Sequence, residues 1–509
     1  MALIINTADY DFKALDNEQN EWVYNALDCS VTSEVWEEMT QSVADFTWPS
    51  YHFVRGMQGP ALCMALRGMK IDMAKRAQWV REMQLRVEAL QKTLDIMAEV
   101  VWDQGLNPRS PAQLIEFFYG RMRIPQEYKY DKTKKERVVT ADRNALEKIK
   151  DCYFHARPLV NNILRSRELT KKISTLQTGV DSDARMRTSY NVCGTETGRW
   201  SSNENAFGTG TNFQNWNDKL REIFIADPGM KMAYIDLEQA ESRVVAYLSG
   251  DQGYINACEG GDLHTTVARM VWPELPWTGD LNEDKKIAGQ KFYRDFTYRD
   301  LAKRGGHGTN YRGKPRTMAM HLHVETKLID EFQERYFSAF PGIPNWHQKV
   351  ATELQLNGFL TTPLGRTRYF LNRLDSDDTL KEAIAFLPQS TIGEILNEGM
   401  YQIWRDYDDK RDQEIWIQLL AQVHDAVLIQ YPDISDEHEQ KTLETIRRAI
   451  QVPIPFGDKQ LIIPANVEGT GWNWRKFASD NHNGLKKWTG HETRQRVEEN
   501  TSLLARFVL

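Results

Sequence analysis

The chain has 509 residues, 27 % of them charged and 11 % aromatic, with a formal net charge of −7. This composition excludes disordered, collagen-like and disulfide-stapled classes and suits roughly two to four globular domains, and the acidic balance neither suggests nor excludes a nucleic-acid partner. Cys29, Cys63, Cys152, Cys193 and Cys258 form no CxxC pair and read as free thiols; the N-terminus reads as no signal peptide, and no apolar run approaches the ~18 residues of a membrane span, so a cytoplasmic location without membrane contact is expected.

Residues 1–55 are short mixed segments ending in FTWPSYHFVRG. From about 60 to 105 apolar positions recur at helical spacing, and Ser110 followed by Pro111 reads as a capped helix start. KYDKTKKERVV, 129–139, is a basic, turn-rich loop, readable as a solvated tip or as a phosphate contact. Residues 185–235 are strand- and turn-like, and MKMAYIDLE reads as a buried strand ending at Asp236, followed by a helix at ESRVVAYLS. Residues 262–345 are mostly helical, GFLTTPLGRTRYF reads as a hairpin around Gly365, and 379–407 as another helix. QVHDAVLIQ, 422–430, reads as a strand with His424 and Asp425 inside its apolar run. A helix over 434–451 and a last strand at QLIIPANV complete the order. Helical blocks around a strand-rich centre predict an α+β fold rather than alternating βαβ units.

A carboxylate in a buried strand needs a partner or a metal. If the strands of Asp236 and Asp425 are neighbours, the two acids converge, and they repel unless protonated or bridged by cations. Hard oxygen ligands suit Mg2+ or Mn2+ and phosphoryl transfer, although two acids alone read as readily as satisfied structural groups. In YRDLAKRGGHGTNYRG, 298–313, Arg299, Lys303, His307 and Tyr311 recur every four residues, and on a helix they share a face suited to a triphosphate, or form a solvated basic face. Gly305, Gly306 and Gly308 weaken that helix by roughly 1 kcal/mol each. The stretch from Gly308 to Pro315 nearly matches a phosphate loop, but Pro315 lacks the required hydroxyl and no strand precedes it. His321 and His323 read as packing or surface histidines, since no third ligand stands near them in sequence.

YIDLEQAESRVVAYLSGD resembles motif A of the family A DNA polymerases (pattern DYSQIELR) at Asp236, Gln239, Glu241 and Arg243. YRDLAKRGGHGTNYRG resembles motif B at Arg299, Lys303 and Tyr311, and QVHDAVL resembles motif C at His424 and Asp425. GTETGRWSSNEN, LREIFIADPG, YFSAFPGIPNW, GFLTTPLGRTRY and FLPQSTIGEILN look like further family segments in family order, from about 60 to 475.

The resemblance, of phage type, implies a right hand: an antiparallel palm sheet (185–261 and 366–475), helical fingers (262–365) and a helical thumb (56–184). It implies a template-directed polymerase acting on primer-template DNA and dNTPs, in a bacterial host cell if phage-encoded. Asp236, Asp425 and the Leu237 carbonyl would hold two Mg2+, with Mn2+ as a substitute. Arg299, Lys303 and His264 would meet the triphosphate, with Lys303 the candidate general acid. Glu241, held by Tyr311, would exclude a 2′-hydroxyl, and Gln239 and His307 would line the nucleotide pocket. Arg199, Gln389, His424 and Arg243 would contact DNA.

There are departures from the pattern. Ala426 replaces a Glu, His307 an aromatic, Leu237-Glu238 a Tyr-Ser pair and Arg312 a Gly. Pro388 lies one position closer to Gln389 than the family's Pro, and Ala385 stands for an Asn. EWVYNALDCSVTSEVW resembles the last motif of the family's 3′–5′ exonuclease domain at Tyr24 and Asp28, which makes 1–55 an expected remnant of that domain, with Val23, Leu27, Val31 and Val35 as a packing face. The exonuclease would then be lost or separately encoded, a possible partner beside replication proteins. Residues 476–509 are an extension of unknown role. A non-catalytic primer-template clamp and a nuclease are the competing readings.

Overall fold

β1 (Met230–Leu237), β2 (Gln418–Val423), β3 (Ala426–Pro432) and β4 (Ala465–Gly471) form one antiparallel sheet in the order β2-β3-β1-β4. The computed structural model describes residues 14–131, 133–293 and 296–488. Side chains alternate between the faces of the sheet as the pleat requires. Ala233, Ile235, Leu237, Val427 and Ile429 enter one core cluster, and Met232 and Leu428 enter another.

Two strands predicted from sequence are divided in the structure. QVHDAVLIQ is a hairpin: Val423 pairs with Ala426, so His424 and Asp425 form a two-residue turn, with His424 left-handed at φ +55°. Asp425 therefore sits at a hairpin tip and leaves the ladder uninterrupted. QLIIPANV breaks at Pro464, which has no N–H to give a ladder. Lys459–Ile462 pairs with Pro453–Phe456, and the sheet strand begins at Ala465.

The helices that matter for the site are, in chain order, α1 (Asn17–Ser42), α2 (Gln58–Arg67), α3 (Met73–Glu99), α4 (Arg157–Leu176), α5 (Ala240–Ser249), α6 (Leu263–Val271), α7 (Tyr298–Asn310), α8 (Thr326–Ala339), α9 (Asp377–Asp406) and α10 (Asp436–Ile450). The helix expected over 60–105 is two. Gly68, at φ +60°, ends α2, a short strand Met69–Ile71 follows, and the Asp72 side chain caps α3 by accepting from the Lys75 N–H. The hairpin at Gly365 (φ +99°) and the Ser110 cap stand as predicted, and the basic loop at 129–139 is the hairpin Tyr128–Asp131 with Glu136–Val139.

α2, α9 and α10 cover one face of the sheet, with Met64, Ile395, Met400 and Ile446 in its core. α3 and α4 form a separate helical lobe with its own core, and α6 to α8 another. The glycines of α7 have a packing reason. A Cβ on Gly305 would lie 2.8 Å from the Phe332 ring on α8, so glycine lets the two helices touch and outweighs its weak propensity. Gly399 plays this part in α9, where a Cβ would stand 2.7 Å from the Cα of Ile450. Gly399→Ala should cost about 1–3 kcal/mol by overpacking backbone that cannot yield. A thermal melt matching wild type would show that the α9–α10 crossing is slack.

α1 corrects an expectation: it has no buried residue, and Val31 and Val35 are half exposed. Val23 and Leu27 are only partly covered, and the packing of α1 lies at its end, where Trp36 meets Trp48 and Tyr51. Part of the extension after 476 does: Thr470 and Lys486 exchange backbone hydrogen bonds, which covers the edge of β4. Residues 489–509 lie outside the described residues. Among the described residues no helix is long and apolar enough to cross a membrane.

Candidate active site

Asp236, near the end of β1, lies opposite Ala426 on one side and Asn466 on the other. The Leu237 N–H donates to the Asp425 carbonyl at 3.2 Å, which stitches the hairpin tip to β1. Asp236 and Asp425 are thus brought to one end of the sheet. Burial pushes the Asp236 carboxyl up to about 7, with added repulsion from Glu468 and then Asp425, against a weaker pull from Lys476. Burial also raises Asp425, opposed by Arg199. Asp236 has no ion pair among the described residues, whereas Glu468 is bound by Lys476 at 3.0 Å.

Around this pair runs a chain of polar contacts. Arg199 Nη2 donates to Glu241 Oε1 at 2.9 Å and lies 3.4 Å from Asp425 Oδ1. His307 Nδ1 is 3.3 Å from Glu241 Oε2 and edge-on to Tyr311, ring centres 5.1 Å apart. Burial, then the nearby Glu241 carboxylate, drives the Tyr311 hydroxyl well above the usual tyrosine range. Gln239 sits left-handed at φ +53° before α5, its side-chain oxygen buried without a partner. Arg243 is buried, and its Nε donates to the Glu238 carbonyl at 3.1 Å. His424 is exposed at the hairpin turn, and its carbonyl accepts from Gln422 Nε2. Gln389 on α9 is half-buried, and one turn on, a Cβ at Gly393 would stand 3.8 Å from the Arg199 Cγ.

The second group gathers on α7, which Thr297 and Asp300 start with a capping box. Arg299 pairs with Asp262 at 3.2 Å, and Asp262 also caps α6 by accepting from the Thr265 N–H. His264 is pushed down to about 4 by burial and then by Arg299 and Lys303, so it is a neutral imidazole at working pH. Lys303 is exposed. Arg312, one residue beyond Tyr311, takes φ +54°, a conformation glycine adopts without strain, and is held by Asp377 at 3.6 Å.

Among the described residues no group of three or more His, Cys, Asp or Glu side chains could hold a metal by itself. The donor set nonetheless fits Mg2+, which typically takes one or two carboxylates and completes its shell with substrate phosphates. A half-buried carboxylate without an ion-pair partner, as at Asp236, is what such an ion would satisfy. His321 and His323 stay apart from these acids on another helix end, and Pro315 opens a helix, not a phosphate loop. Sequence reasoning missed Glu468 and Lys476. Their only signal was charge in and after a glycine-rich strand, whose bulge between Val467 and Gly469 hides which way Glu468 faces.

The profile of DNA polymerase family A matches residues 77–476. The chain belongs to this family. Similar curated proteins include the thermostable DNA polymerase I of Thermus caldophilus, 26 % identical over 89 % of this chain and 52 % of that protein. DNA polymerase I of Geobacillus stearothermophilus is 26 % identical over 77 % of this chain and 43 % of that protein. The chain thus spans about half the length of the curated relatives it matches. Among solved structures, the POL domain of M. smegmatis Pol1, in complex with DNA primer-template and dNTP, aligns with a TM-score of 0.68 and 23 % identity, over 82 % of this chain and 70 % of that one. The fold is the α+β right hand of family A, an antiparallel palm sheet with helical fingers and a helical thumb.

Proposed function

We propose that the chain is a template-directed DNA polymerase that adds dNTPs to a primer 3′ end by phosphoryl transfer. The observation that carries this reading is the meeting of Asp236 and Asp425 at one end of the palm, to which α7 is joined through His307, Glu241 and Arg199. Asp236, Asp425 and the Leu237 carbonyl would hold two Mg2+, or Mn2+. When bound, these ions lower the pKa of the primer hydroxyl and steady charge on the α-phosphate.

The chain's own residues would do the rest. Arg299 and Lys303 bind the triphosphate, His264 donates a hydrogen bond to it, and Lys303 protonates the departing pyrophosphate. Glu241, met by His307 and, in the protein without DNA, by Arg199, stands where a 2′-hydroxyl would intrude, with Tyr311 behind it and Gln239 and His307 lining the pocket. Arg199 and Gln389 read minor-groove acceptors, which are placed alike in every base pair. His424 supports the primer terminus, and Arg243, being buried, acts on DNA by positioning Glu238 and its neighbours. We assign α3 to α4 to the thumb and α6 to α8 to the fingers; α2, whose Met64 lies in the palm core, goes with the palm.

Primer extension with Mg2+, with and without dNTPs, tests the reading. Extension directed by the template base is expected, and an untouched primer when dNTPs are withheld. Binding without extension would make the chain a clamp, and shortening without dNTPs a nuclease. Of the acids a nuclease would draw on, Asp16 caps α1, Asp28 stands exposed on that helix with Tyr24, and Asp9 and Asp11 lie outside the described residues. A separately encoded exonuclease or other replication proteins, in a cytoplasmic setting, would complete the proposed partners.

Glu241→Ala should raise ribonucleotide use relative to deoxyribonucleotide by roughly tenfold or more, the scale of one discriminating contact. An unchanged ratio in single-nucleotide incorporation would assign the sugar check to another residue.

A further inference from the structure

We propose that Arg199 is a built-in counter-ion that closes the metal site of the free protein, so that primer-template must seat before the divalent cation can load. This rests on the polymerase reading above. One guanidinium nitrogen is shared by two carboxylates, Glu241 at 2.9 Å and Asp425 at 3.4 Å. Asp425 has no other cation in an ion pair among the described residues. A divalent ion and a guanidinium repel, so Arg199 at Asp425 Oδ1 weakens this carboxylate as a ligand for the ion.

The arginine is placed for this by its backbone. Gly198 is left-handed at φ +74°, and a Cβ there would stand 2.4 Å from the guanidinium carbon of Arg366. A Cβ on Gly393 of α9 would stand 3.8 Å from the Arg199 Cγ, in ordinary contact. From there the side chain reaches into the slot between Glu241 and Asp425. Yet the slot leaves Arg199 incompletely satisfied, because its Nε is buried with no acceptor. A buried donor without a partner is costly, so the arrangement is stable only until better acceptors arrive. The minor-groove edge of a base pair offers such acceptors in positions common to all sequences, and the planar fork of an arginine suits them. Withdrawal of Arg199 to the primer terminus frees Asp425 and releases Glu241, whose other oxygen meets His307 of the fingers at 3.3 Å. One side chain thereby couples DNA, metal and fingers.

Mn2+ binding to the full chain, followed by electron paramagnetic resonance at pH 8 without nucleotide, tests this directly. Without DNA, Arg199→Ala should bind Mn2+ roughly tenfold or more tighter than wild type. A saturating dideoxy-terminated primer-template should tighten Mn2+ binding by wild type by a similar factor and leave Arg199→Ala nearly unchanged. Arg199→Lys, which keeps the charge on a shorter reach, should fall between and decides the matter if the alanine variant fails to fold. Equal Mn2+ affinity of wild type and the variant without DNA would overturn the proposal. Asp425→Asn separates it from the reading beneath: wild-type Mn2+ binding by that variant would overturn the metal assignment itself.

Discussion

Asp236→Asn is expected to lower primer extension by roughly a thousandfold or more and also to stabilise the cation-free protein at pH 8. The first effect follows from losing a carboxylate that several kcal/mol of transition-state charge stabilisation pass through. Primer-template affinity should stay within a few-fold, because phosphate contacts supply most of it. The second effect follows from burial. The folded protein holds the Asp236 proton up to about pH 7, while an unfolded aspartate releases it near 3.9. Between those values the native state binds more protons than the unfolded one, so this group's contribution to stability falls as pH rises from about 4 through 7. Above 7 the charged, buried acid opposes folding by up to a few kcal/mol. Asparagine has no proton to lose. In melts with a chelator, the variant should exceed wild type at pH 8, and the gap should narrow at pH 5 and close near pH 4. A gap independent of pH would mean that Asp236 is well solvated in the free protein.

Lys303→Ala should reduce kcat/KM for the incoming dNTP by roughly a hundred- to a thousandfold, the cost of removing one preorganised cation from developing charge. Of the cluster on α7 and α6, Lys303 has the most to contribute. Arg299 is already shared with Asp262, and His264 is held neutral. Arg299→Ala should therefore cost less than Lys303→Ala. If Lys303 also protonates pyrophosphate, kcat falls as well as affinity, and Lys303→Arg, which cannot give up a proton, recovers binding but not rate. Single-turnover rates across dNTP concentration separate the two, and a loss confined to affinity would restrict Lys303 to phosphate binding.

The readable parts of this molecule are those where one local rule governs. The four-residue recurrence from Arg299 to Tyr311 gives a helix face whatever surrounds it, and apolar MKMAYIDLE, ending in acid, gives a core strand with a carboxylate at its end. Gly365 marks its hairpin because only a left-handed residue fits there. The unread parts depend on partners distant in the chain. The turn at His424-Asp425 lacks the Asn-Gly or Asp-Gly signal of a two-residue hairpin, and His424 takes the left-handed position within a ladder fixed from both sides by β1 and β2. Gly305 weakens α7 taken alone, and its packing reason, the Phe332 ring of α8, lies 27 positions away in the chain. Glu468 reaches the catalytic end through a bulge that has no sequence mark. The apolar positions of α1 suggested a packed helix, yet periodicity shows only that a face exists, not that something covers it.

The central claim is that the two acids at the end of the palm sheet hold the chemistry. Single-turnover incorporation of one templated dNTP by Asp425→Asn, with its primer-template Kd measured in the same Mg2+ buffer, tests it most directly. The predicted result is a rate at least about a thousandfold below wild type with DNA affinity within a few-fold. Near-normal incorporation, with tight DNA binding, would contradict it.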